Sequence, residues 1–240
     1  MSKGRVEVGS VSKNFSLGGS KTVDILDNIS FSAKANEFLS IVGPSGSGKS
    51  TLLKCMSGLL KPTSGTIAIN SVDPYSLKPS HLAKMRRSEI GFIFQSYNLV
   101  PALPVFENIS LPLRLSRKSI DKSVVEEMLR KMNFNAELTS FVDTLSGGEQ
   151  QKVAIARVLV THPQIIFADE PTGAVDAESK QIIFNILRKL ADEGACVIMV
   201  THDVDLAAMT DKALVLKNGQ IRQTLTGSSA SEILAEIERK

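Results

Sequence analysis

The stretch Gly43-Pro44-Ser45-Gly46-Ser47-Gly48-Lys49-Ser50-Thr51 decides how this sequence is read. Its glycines let the backbone curl until successive N–H groups point into one concavity that can hold polyphosphate. The spacing Gly-x-x-x-x-Gly-Lys-Ser is met by Gly43, Gly48, Lys49 and Ser50. Lys49 is expected to reach the outer phosphates as a point charge, and the Ser50 hydroxyl to ligate Mg²⁺. Phe38-Leu39-Ser40-Ile41-Val42, ahead of the loop, reads as a short buried strand. Behind it, Leu52, Leu53, Met56, Leu59 and Leu60 recur at helical spacing. The loop thus opens a helix, and the positive end of that helix's dipole favours phosphate.

Composition narrows the classes. A chain of 240 residues is long enough for one or two domains with a sizeable core. With 28 basic against 25 acidic residues, the charge is too balanced to argue for nucleic acid. No apolar run approaches the length needed to cross a bilayer, and Met1 to Glu7 lacks the apolar segment of a signal peptide. Cys55 and Cys196 suit buried reduced thiols better than a disulfide framework or a metal site. The expectation is a cytosolic protein, or one held at a membrane by a partner.

Towards the N-terminus, Val6, Val8, Val11, Ile25-Leu26, Ile29 and Phe31 alternate with polar residues, and Gly18-Gly19-Ser20 interrupts them. This predicts antiparallel strands. Phe15 ends the first piece, either as a flat surface for an adenine ring or as plain core. Beyond the loop helix, Lys61 to Gly65 reads as a turn and Thr66-Ile67-Ala68-Ile69 as a strand, with a polar helix over Pro79 to Arg87. Ile90-Gly91-Phe92-Ile93-Phe94 is a buried strand ending at Gln95. From Ser96 to Pro112, three prolines stand among Leu, Val and Phe. That segment is either an apolar docking surface or an ordinary connector packed on a helix.

Residues 105–160 are expected to be helical and to form an inserted lobe. Leu145-Ser146-Gly147-Gly148-Glu149 starts its last helix, which stops before Pro163. Gln164 to Asp169-Glu170 is an apolar run ending in two carboxylates, as a strand buried on both faces reads. Asp176 caps a helix closed by Gly194, and Cys196 to Val200 forms another buried strand, ending in Thr201-His202-Asp203. A hairpin over Leu214 to Arg222 and a short tail helix through Ile233, Leu234 and Ile237 complete the chain.

Four apolar strands thus each end in a polar group: the phosphate loop, Gln95, Asp169-Glu170 and His202. Ligands of open α/β sheets bind outside the carboxyl ends of the strands, so these groups can converge on one nucleotide. Asp169 is positioned to hold Mg²⁺ opposite Ser50, with Gln95 completing the metal shell or meeting the γ-phosphate. Glu170 is the candidate to orient or deprotonate the attacking water, and His202 to donate to the γ-phosphate.

The second decisive stretch is Leu145 to Arg157, LSGGEQQKVAIAR. Here the chain resembles the ATP-binding cassette family, over about Val8 to Gly219, with the phosphate loop, Gln95, Asp169-Glu170, Asp176 and His202 in the family's order. The resemblance implies an α/β phosphate-loop NTPase fold. A RecA-like core with a mostly parallel sheet and an N-terminal antiparallel β subdomain would span 1–95 and 160–228. A helical subdomain would span 96–159, and a tail 229–240. It implies ATP and Mg²⁺ as ligands, with contacts from Phe15, Gly43, Ser45, Gly46, Ser47, Gly48, Lys49, Ser50 and Thr51. It also implies a head-to-tail dimer in which Ser146, Gly147, Gly148 and Glu149 face the γ-phosphate held by the other chain, with Asp176 in the loop joining the two sites.

Four residues depart from the family's pattern: Phe15 for Tyr, which keeps the stacking face and loses only a hydroxyl, Asn36 for Gly, Lys152 for Arg and Val175 for Leu; an active ATPase is still expected. Gly91 to Gln95, Asn98 to Pro101, Glu107-Asn108-Ile109 and Asp169 to Gly173 resemble cassettes of lipoprotein-release, macrolide-export and bacitracin-resistance systems, which drive an FtsX-like permease. That implies an ATPase peripheral to the cytoplasmic face of the cell membrane. It would meet its permease through residues 95–112, with Tyr97, Leu99 and Phe106 as the coupling side chains. The alternative is a regulatory or division-complex switch that transports nothing. A soluble DNA-repair or translation ATPase fits less well, because the chain has one phosphate loop and no long coiled coil.

Overall fold

The computed structural model describes residues 5–16 and 21–239. The Gly18-Gly19-Ser20 interruption and the first four residues lie outside them. In chain order the elements are β1 (Val6–Ser16), β2 (Thr22–Ala33), β3 (Glu37–Val42), α1 (Lys49–Met56), β4 (Ser64–Ile69), α2 (Pro79–Ser88), β5 (Ile90–Ile93) and α3 (Val105–Leu115). There follow α4 (Lys122–Arg130), α5 (Gly147–Leu159), β6 (Ile165–Asp169), α6 (Ala177–Asp192), β7 (Cys196–Val200), α7 (Val204–Ala208), β8 (Lys212–Lys217), β9 (Gln220–Leu225) and α8 (Ala230–Glu238).

The strands form two sheets. One is antiparallel, in the order β2-β1-β4; the other has six strands in the order β5-β6-β7-β3-β8-β9. Within the larger sheet β5, β6, β7, β3 and β8 run parallel, and only β9 pairs antiparallel, closing the hairpin with β8. Every residue of β6 and β7 is buried. Alternate side chains of β6 serve opposite faces, the period a pleated strand imposes. Ile165 and Phe167 join the antiparallel sheet and α1, whereas Ile166 and Ala168 join the helices. The helical residues Ile109, Val125, Leu129 and Val153 belong to one cluster with Phe38 and Val197 of the sheet, so the inserted helices pack as a layer on the sheet face.

The region expected to be helical from 105 to 160 is broken twice. Arg117 and Asn133 take left-handed φ of 56° and 53° after α3 and α4. Lys118 N–H and Phe134 N–H then return to Leu113 O and Leu129 O, closing each helix. β4 begins at Ser64, inside the expected turn, because Ser12 and Ser64 already pair across β1 and β4. The five-residue α7 was not foreseen; it is too short to show a periodicity and is started by Asp203, whose carboxylate accepts from Leu206 N–H at 3.1 Å. Asn36 adopts φ 60°, the left-handed turn that lets it replace a glycine ahead of β3.

Candidate active site

Because β5, β6, β7 and β3 are adjacent and parallel, their carboxyl ends share one edge. There the chain forms a cleft of about 620 Å³ lined by Gly43, Ser45, Lys49, Gln95, Glu170 and His202, all six expected at a nucleotide. The loop is held tightly from below. Gly43 has φ 149°, and any Cβ there would overlap Leu216 O. Gly48 serves as N-cap of α1 with φ 102°, so no side chain caps that helix and its first N–H groups face the loop.

Lys49 Nζ folds back on the loop, donating to Gly43 O and Pro44 O at 2.9 Å each. Burial lowers its pKa, against the pull of Glu170 and Asp169. Ser50 Oγ donates to Asp169 Oδ1 at 2.9 Å. Burial raises the Asp169 pKa, and the Ser50 bond opposes this. His202 Nδ1 stands 2.8 Å from Glu170 Oε2, and His202 N–H approaches the same oxygen at 3.4 Å.

These residues fit a nucleotide and its metal. Ser47 Oγ is buried and has no hydrogen-bond partner among the described residues, an orphan that a phosphate oxygen would satisfy. An uncapped helix start, a lysine and a Ser-Asp pair supply the donors and oxygen ligands a magnesium polyphosphate needs. Gly46 is exposed with open space around it, and Thr51 sits half-buried in the first turn of α1.

The remaining expected residues stand outside the cleft. Ser146 caps α5 in a reciprocal box: Glu149 N–H donates to Ser146 Oγ, and Glu149 Oε2 accepts from Ser146 N–H at 3.0 Å. Ser146 and Gly147 are exposed, and Ser146, Gly147 and Gly148 do not line the cleft that holds the chain's own phosphate loop. Asp176 caps α6, accepting from Ser179 N–H at 2.8 Å, and this bond depresses its pKa. Phe15 is 40% exposed, with Lys13 Nζ 4.9 Å from its ring centre, which removes the plain-core reading.

The chain matches the protein-family model described as ABC transporter over residues 26–173. The chain belongs to the ABC transporter family. A MacB macrolide export ATP-binding/permease protein of Bdellovibrio bacteriovorus is 39% identical over 98% of this chain. The chain spans only 36% of that longer relative. A LolD lipoprotein-releasing ATP-binding protein of Syntrophotalea carbinolica is 38% identical, covering 92% of this chain and 99% of LolD. A solved dimeric form of the cassette MJ0796 of Methanocaldococcus jannaschii superposes with TM-score 0.86 at 37% identity, covering 93% of this chain and 99% of that one. A second MJ0796 dimer, in a post-hydrolysis state bound to ADP and Pi, superposes equally well.

The cleft of this cassette draws on residues that sequence patterns alone did not assign to it. Tyr97, Gln151 and Ala174 also line the cleft. Tyr97 is one of the residues expected to couple to a permease; Leu99 and Phe106, its expected companions, pack against the core. Gln151 stands in the polar run Glu149-Gln150-Gln151-Lys152, so its sequence surroundings carried no signal that it is buried at the cleft.

Proposed function

We propose that this cassette is the ATP-hydrolysing subunit of an ABC transporter, dimerising head to tail around two ATP and driving a membrane permease of the MacB or LolD type. The observation that carries the reading is the meeting of Lys49, Gln95, Glu170 and His202 in one cleft at the ends of four adjacent strands. Lys49 and the loop N–H groups hold the phosphates. Ser50, Asp169 and Gln95 supply oxygens for Mg²⁺, which neutralises phosphate charge. Glu170 orients or deprotonates the attacking water, and His202 keeps its carboxylate in place and donates to the γ-phosphate. The Ser146-Gly147-Gly148 start of α5 is an anion site without a phosphate of its own, which the dimer supplies.

Permease docking is supported by a groove of about 380 Å³ beside the Gln95–Asn98 segment. Leu59, Phe92, Phe94 and Pro112 make it apolar, and Arg86 and Arg87 give it positive charge. An amphipathic segment bearing an acidic residue suits that lining. Among the described residues, no helix is long and apolar enough to cross a membrane. The cassette is held at the cytoplasmic face through its permease.

The test is an affinity pull-down of Glu170→Gln with ATP from detergent-solubilised native cells, with partners identified by mass spectrometry. A multi-span membrane protein at near-equal amount is expected, and its loss in Arg87→Glu would place it on the groove. Recovery of a soluble partner, or of the chain alone, would move the reading to a regulatory switch.

A further inference from the structure

Gln151 is 1% exposed, and its Nε2 has no hydrogen-bond partner among the described residues. It nevertheless lines the phosphate cleft beside Gln95, Tyr97 and Glu170. Buried amides in folded proteins are nearly always paired, so an orphan at the wall of a ligand cleft marks a partner that arrives with the ligand. The rest of α5 grips the segment after Gln95. Arg157 donates to Tyr97 O at 2.7 Å and to Asn98 O at 2.6 Å. Tyr97 and Asn98 are held at left-handed φ of 61° and 50°. At the start of the helix, a Cβ on Gly147 would lie 3.2 Å from Tyr97 Oη. Gln151 lies between these two attachments in sequence. Gln95 is exposed, and its side chain makes no hydrogen bond among the described residues.

We infer that Gln151 is a positioning residue for Gln95: in the nucleotide-loaded cleft its Nε2 donates to the Gln95 side-chain oxygen. The bond turns the Gln95 amide towards the phosphates and ties α5 to occupancy of the chain's own site. This role is distinct from the one proposed for Ser146, Gly147 and Gly148, which do not line the cleft. The inference rests on the ATPase reading.

The test uses the purified full chain and four forms: unsubstituted, Gln151→Met, Gln95→Ala and the double variant, with Gln151→Leu as a second replacement. Methionine keeps the length of the side chain and removes the donor. Melting of the nucleotide-free protein is expected to be unchanged or raised, since the amide has no partner there. The KM for ATP should stay near that of the unsubstituted chain, while kcat falls about tenfold, the worth of one ordinary hydrogen bond in the transition state. In the Gln95→Ala background the same replacement should change kcat by less than about twofold, the limit of additivity error. An equal fall in both backgrounds, or no fall in the single variant, would overturn the role. Loss of the fold in both Met and Leu variants would make Gln151 a packing residue and also overturn it. Absence of hydrolysis by the unsubstituted chain would sink the ATPase reading itself, and so is distinguishable.

Discussion

His202 Nδ1 lies 2.8 Å from Glu170 Oε2, and the two partners differ sharply in exposure: the His202 side chain is 74% exposed and that of Glu170 13%. The pair exists because β6 and β7 are neighbours, with Glu170 N–H donating to Val200 O at 3.0 Å. Glu170 also takes φ 51°, a left-handed conformation that costs a side-chain-bearing residue about 1–2 kcal/mol. Strain of this kind persists where the surroundings over-determine it, as at a reacting group.

Burial raises the Glu170 pKa, and His202 acts in the opposite direction. A raised carboxylate pKa means that folding favours the protonated form. The favourable contribution is therefore complete below the ordinary glutamate range and is lost as pH rises through the raised value. Glu170→Gln should accordingly raise the melting temperature of the nucleotide-free chain near neutral pH, with the gain disappearing in acid. Its turnover should fall about 10²- to 10⁴-fold while ATP binding persists, since only the base is removed. Steady-state kinetics, nucleotide binding and gel filtration with ATP check this, the last for a stalled dimer. Hydrolysis at the unsubstituted rate would remove Glu170 from its role.

Ser50 Oγ donates to Asp169 Oδ1 at 2.9 Å, and under the proposed function these two oxygens would hold Mg²⁺. Chelation of Mg²⁺ should abolish turnover. Ser50→Ala should raise the Mg²⁺ concentration for half-maximal rate about 10- to 100-fold, the usual effect of losing a group that ligates or orients a ligand. A magnesium titration of the two proteins decides it.

Phe15 is 40% exposed near the end of β1 and belongs to none of the buried clusters, so its replacement disturbs no core. Phe15→Ala should leave thermal stability within about 0.5 kcal/mol, as surface changes do. The KM for ATP should rise about three- to tenfold, the worth of one aromatic stack. Unchanged KM would exclude adenine stacking on this ring.

Asn108 is fully buried and holds the proline-rich segment together. It accepts from Val100 N–H at 2.8 Å and donates to Val100 O, Leu103 O and Pro104 O. Asn108→Ala should destabilise the chain by about 2–4 kcal/mol, because several buried backbone groups lose their partner together. Urea unfolding would measure it.

The sequence by itself determined the phosphate loop, the order of strands and the four polar strand ends, because each of these is a local pattern. A glycine-lysine-serine spacing, a five-residue apolar run and the capping Asp176 are set by residues within one turn or one strand of each other. Which strands lie side by side is a long-range matter, and only the tertiary structure decided it. Placing β5, β6, β7 and β3 in one row is what turns Gln95, Glu170, His202 and Lys49 into a single cleft. The same holds for the segment after Gln95. Its prolines made it look irregular, but it is ordered by Asn108 and Arg157, polar residues that lie 8 and 59 positions further along from the groups they bind. A side chain's hydrogen-bond partner across the fold leaves no periodicity to read, and this is why Gln151, Arg157 and the basic groove became visible only once the helices were packed on the sheet.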